Sequence, residues 1–164
     1  MEHLLYDIIN HLGTNMPEIR TIDEDYGQLQ MLEQEGRDSY SLVFPAILID
    51  APETQWENIS GLSQKGVCTV TVKLCIDCYD DTHYRSDQID MILIRDKTRR
   101  ELHRLLQGHR IGNGSALIRT SSRFYTANYG IKVYESTYTI GVTECFLPEK
   151  QTMKKPTITF FSHP

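Results

Sequence analysis

VCTVTVKLCIDCY, Val67 to Tyr79, alternates with a period of two. One side carries Cys68, Val70, Val72, Leu74, Ile76 and Cys78. The other carries Thr69, Thr71, Lys73, Cys75 and Asp77. A strand of this kind lies on a core by its apolar face, so Val67 to Tyr79 predicts the long strand around which a sheet is built. Lys65-Gly66 opens it.

Upstream, FPAILID (Phe44 to Asp50) reads as a short buried strand, with Pro45 tolerated at its start. Thr54 to Ser63 reads as a connection around Trp56, the only tryptophan. Further back, Leu5, Ile8, Ile9 and Leu12 form one apolar helical stripe, and Gly13, Asn15 and Pro17 end it. Ile19 to Asp23 reads as a short strand. Glu24 to Val43 is a polar excursion with one helical turn around Leu29 to Glu33.

Downstream, Ser86 suits an N-cap and Asp87 the first turn of a helix running to about Gln107. Its expected buried stripe is Met91, Ile94, Thr98, Leu102 and Leu105, supported by Ile89 and Leu106. Arg95, Lys97, Arg99, Arg100 and Arg104 lie off it. Gly108 is a fitting cap. Ala116 to Thr126 and Ile131 to Phe146 then read as an antiparallel hairpin turning at Ala127 to Gly130. On the second of these strands Tyr134, Tyr138, Ile140, Val142 and Phe146 share a face. This order predicts an α+β fold: a mostly antiparallel sheet of about four to five strands with two helices packed against it. One domain is expected over residues 1–147, and an extended, basic tail over 148–164. Within the tail, Thr157 to Phe161 is strand-like.

Composition narrows the function. The 164 residues carry a formal net charge of −5, which disfavours specific nucleic-acid binding. The amino terminus has no signal-peptide pattern, and no stretch approaches a membrane span. Folding in a cytoplasm is therefore expected, with the four cysteines reduced. No GxSxG or HExxH is present, and no carboxylate pair is patterned for acid–base work. Gly112-Asn113-Gly114 lacks phosphate-loop spacing. No catalytic residue and no cofactor are expected.

CIDCYDDTH, Cys75 to His83, allows two readings. Cys75, Cys78 and His83 are metal-ligand types, but alternation sends the two thiols to opposite faces of an extended chain. A core strand followed by a polar loop is the favoured reading, with Cys78 on the core side and Cys75 on the solvent side. A strand end before Cys78 would rescue the metal. Asp77, Asp80, Asp81 and His83 make that loop acidic, without an EF-hand pattern. KTRRELHR, from Lys97, reads first as a solvated face with Asp96 and Glu101 as partners, and second as a protein contact. Candidate interaction residues are Arg95, Arg99, Arg100, Asp80, Asp81, Phe160 and Phe161.

In its order of elements the chain resembles the tail terminator, or tail-completion, proteins of long-tailed bacteriophages and prophages. The resemblance rests on the amino-terminal helix, the strand ending near Ile22, PAILID, QKGVCTVTVKLCIDCYD, the Ser86 to Gln107 helix and the closing hairpin. It spans roughly Leu4 to Phe146. It implies a non-enzymatic subunit that forms a ring, typically of six, on the end of the tail tube. Such a ring stops tube growth and docks to the head connector. Its implied partners are further copies of itself, the tube protein and the connector protein. Its implied place is the bacterial cytoplasm during assembly and then the virion tail. A head–tail neck or adaptor protein of similar architecture, and a metal-binding module on Cys75, Cys78 and His83, are the alternatives.

Overall fold

The computed structural model describes residues 2–32, 42–112 and 115–146. The expected tail, with Phe160 and Phe161, lies outside them, as do Asn113 and Gly114. The elements in chain order are α1 (Glu2–Asn15), β1 (Thr21–Glu24), α2 (Gln28–Met31), β2 (Ala46–Ile49), β3 (Glu53–Ser60), β4 (Ser63–Ile76), α3 (Met91–Leu106), β5 (Ile118–Thr126) and β6 (Lys132–Cys145). A 3-10 turn at Asn128–Gly130 joins β5 to β6. The fold is α+β.

The six strands form one sheet in the order β1-β2-β4-β6-β5, with β3 alongside β4. β1 and β2 are parallel, and every other pair is antiparallel. β4 is the spine: β6 pairs along its whole length, while β3 and β2 share its other side.

The alternation of β4 has the predicted consequence. Cys68, Val70, Val72 and Leu74 are buried in the main core with Tyr138 and Ile140 of β6. α1 covers this face with Leu4, Leu5, Ile8 and Leu12, and α3 with Leu102 and Leu106. Each such side chain contributes about 1.5–3 kcal/mol of burial free energy. β2 is apolar throughout because both of its faces are covered. Ile47 and Ile49 join the main core. Ala46 and Leu48 join a smaller one with Leu29, Leu42, Cys75, Ile131 and Val133.

Four expectations need correction. The sheet has six strands, because the stretch around Trp56 is β3 rather than a connection. Most of β3 faces solvent, so it has no apolar alternation to reveal it. Its Trp56 pairs across to Gly66, where an added Cβ would lie 2.9 Å from the tryptophan ring and from the Gln55 carbonyl. α3 starts at Met91, not at Ser86. Ser86 caps a lead-in turn instead: the Gln88 N–H donates to Ser86 Oγ at 3.1 Å, and the Met91 N–H to the Gln88 carbonyl at 3.0 Å. That three-residue spacing is tighter than an α-helix. The cysteines are placed differently: Cys75, expected on the solvent side, is buried in the smaller core, and Cys78, expected on the core side, lies half-buried beyond the end of β4. Phe146, expected on the strand and on the face of Tyr134, Tyr138, Ile140 and Val142, follows the end of β6 and is exposed. No helix among the described residues is long and apolar enough to cross a membrane.

Candidate interaction surface

α3 is packed over only part of its length. Leu102 and Leu106, near its end, are buried, and the ring Nδ1 of His103 lies 3.1 Å from the Tyr138 hydroxyl. Burial pushes that phenol up to about 12, so Tyr138 is a satisfied core group and not a nucleophile. At the other end, Ile89, Ile92, Leu93 and Ile94 are all exposed, and so are Tyr79 and Tyr84 in the preceding loop. Ile89, Ile92 and Leu93 share one face by their spacing. Clustered exposed apolar side chains of this kind mark contact surfaces.

This differs from the expected stripe, which placed Ile89 and Ile94 inward. The signal was present in the sequence. Four consecutive apolar residues, MILI from Met91, sweep right round a helix, so some of them must leave any single face. The buried position is filled by Arg95, which was expected off the stripe. Its Nη1 donates to Asp80 Oδ2 at 3.1 Å, and its Nε finds no partner among the described residues. Arg95 and Asp80 thus pin the loop to the helix and are not free surface charges.

The other candidate charges are divided. Asp96 takes both Arg99, at 2.6 Å, and Arg100, at 2.6 Å. Hydrogen bonding to Arg99 holds the Asp96 carboxyl below the usual carboxylate range. Arg100 nevertheless stands largely in solvent. Asp81 pairs with the neighbouring His83 at 2.6 Å, with both groups exposed. Arg100, which lines a groove with Leu93, and Asp81 are therefore accessible charges.

Cys75, Cys78 and His83 are not brought together. β4 does end before Cys78, the condition under which a metal site survives, but the thiols face different surroundings. Burial pushes the Cys75 thiol up to about 12, with the Asp25 carboxylate adding to the effect. Burial also raises the Cys78 thiol, against the pull of Arg95. Neutral thiols are poor ligands. Among the described residues no group of three or more His, Cys, Asp or Glu side chains is placed to hold a metal ion.

Two arrangements were not legible from spacing. Lys73 Nζ sits 2.6 Å from Asp25 and 2.8 Å from Asp50. Burial works against the lysine's charge, yet the two carboxylates raise its affinity for the proton above the ordinary value. Burial would also raise Asp25, but Lys73 and the Gly27 N–H bring it below the usual range. Asp50 stays above it, because burial prevails over Lys73. This triad clamps the turn after β1 and the end of β2 to β4. Elsewhere a cleft of about 320 Å³ between α1 and β3 is lined mainly by Leu4, Trp56, Cys68, Ile111, Ile140 and Val142. His3, Thr54, Gly112, Thr143 and Glu144 complete the lining, and Cys68 is itself buried in the main core.

No protein-family model and no curated protein matches the chain. Among solved structures it is similar to a chain of one titled "Virion of native gene transfer agent (GTA) particle". The TM-score is 0.50 at 7% identity, covering 85% of this chain and 91% of that one. At such identity the likeness is one of fold, and it extends over nearly the whole of both chains.

Proposed function

We propose that this protein is a non-enzymatic structural component of a phage-like virion. It assembles as a closed ring on the end of a tail tube, stops tube growth and docks to the head connector. The observation that carries this reading is the fold shared, over most of both chains, with a chain of the gene transfer agent virion. The exposed Ile89, Ile92 and Leu93 supply an apolar surface of the kind that docking requires. Assembly would take place in the bacterial cytoplasm, with the finished ring carried in the virion.

The test is a capping assay. Purified protein is added to polymerising tube subunits from the same gene neighbourhood, and tube length and end density are read by negative-stain microscopy. Shortened tubes with a ring-shaped cap support the reading. Tubes of unchanged length without bound protein contradict it. Binding to the connector alone moves the protein to the neck position.

A further inference from the structure

We propose that copies of this chain join edge to edge, β5 of one against β3 of the next, so that the sheet continues from subunit to subunit. This rests on the self-assembly reading above. β5 is one margin of the sheet and β3 lies on the opposite side of the β4–β6 pair. Among the described residues no strand pairs with the outer edge of either. Such edges present unpaired backbone donors and acceptors and act as templates for another chain. β1, the other outer strand on the β3 side, has four residues against eight in β3, and its Thr21 hydroxyl donates to the Val43 carbonyl.

Direction and face select the joint. β5 runs with β4, and β3 runs against it. Rotation about an axis near the strand direction preserves that sense, so β5 of one copy meets β3 of the next antiparallel, as a head-to-tail ring requires. Residues facing across such a joint must lie on the same side of the sheet. Arg123 lies on the side of its partner Glu135, and Glu57 on the side of its partner Lys65. In β4 and β6 these are odd positions, on the side away from α1 and α3. Phe124, opposite Tyr134, and Trp56, opposite Gly66, lie on the helix side. One antiparallel register sets Arg123 against Glu57 and Phe124 against Trp56 together. It runs through stretches of both strands that are free of bulges, Gln55 to Asn58 and Ser122 to Tyr125.

The charges then alternate across four strands: Lys65, Glu57, Arg123 of the next copy, and Glu135 of that copy. Phe124, 58% exposed here, gains an aromatic neighbour. Pairing either edge with itself is disfavoured. A two-fold β5 joint centred on Arg123 sets two copies of that arginine against each other, and a β3 joint brings together Glu53 and Glu57.

The experiment is molar mass by light scattering over a concentration series for the full chain, Glu57→Arg, Arg123→Glu and the double swap. Each single reversal is expected to move assembly to about tenfold higher concentration or beyond, and the double swap to recover most of the loss. Thermal melts verify the fold. Should a reversal unfold the chain, Phe124→Ser is read in its place, with the same expected loss. Single reversals that assemble like the natural chain overturn this joint and leave the ring intact. A natural chain that stays monomeric, with and without tube, overturns the self-assembly reading and the joint with it.

Discussion

Leu93 and Leu106 stand on the same helix, yet Leu93 is 66% exposed and Leu106 is fully buried. α3 therefore serves the core at one end and solvent at the other. Leu106→Ala is expected to cost about 2–5 kcal/mol, lowering the melting temperature by about 2–4 °C per kcal/mol in a chain of this size. Leu93→Asp is expected to change stability by less than about 0.5 kcal/mol and to abolish capture of the docking partner. Calorimetry together with a pull-down separates the two effects. Equal destabilisation by both variants would contradict the picture of a half-packed helix.

The Lys73 clamp gives a second expectation. Lys73→Met strands two carboxylates at neutral pH. Its cost is about 2–4 kcal/mol, the figure for a broken buried pair discounted for the partly exposed Asp50. Asp25, held low, contributes stability that is present above its unfolded value and lost as pH falls through its folded one. Lys73, held high, contributes below its ordinary value and loses this only in strong alkali. Asp50, held high, protonates first on acidification. The penalty of Lys73→Met should therefore shrink below about pH 4. Urea melts of the two proteins at pH 7 and pH 3.5 measure this, and a penalty independent of pH would contradict it.

His11 and His109 stack at 3.8 Å between α1 and the segment after α3. Burial, and then His11, hold the His109 proton affinity below the ordinary value, with Asp7 opposing. A histidine held low in the fold favours the neutral form, so stability is lost as pH falls through the unfolded value of about 6.5. His103, lowered by burial and by Arg119 and Arg99, acts in the same direction. The melting temperature should drop between pH 7.5 and pH 5.5, and His109→Gln should reduce the drop without removing it. An unchanged slope in His109→Gln would refute the coupling.

Gly66 lies beneath Trp56, where a Cβ would also meet the Thr54 side chain at 2.7 Å. Gly66→Val must push β3 away from β4, at about 1–3 kcal/mol. The main core lies outside this pair, so the change should read as a shift in Trp56 fluorescence with modest loss of stability. Unchanged emission would show that β3 accommodates the side chain.

Much of the fold was legible because burial leaves a period. β4 and α1 each carry an apolar face of the right spacing, and the β5–β6 turn sits where its residues place it. β3 was hidden because a strand outside the core needs no apolar alternation. The start of α3 was misplaced because Ser86 caps a lead-in turn, and a cap marks whichever turn follows it. Arg95 was misread because a buried arginine depends on its partner, Asp80, fifteen residues away in the chain. The contact surface was half visible, in the run of apolar residues at Met91. The pairing of the helix charges was legible: Asp96 takes Arg99 and Arg100, and Glu101 takes Arg104, at the three- and four-residue spacings of a helix face.

The most direct test of self-assembly is the molar mass of the natural chain by light scattering behind size exclusion, over a wide concentration range. A single closed species near six subunits is expected. A stable two-fold dimer, or a monomer at every concentration and in the presence of tube, would contradict the ring.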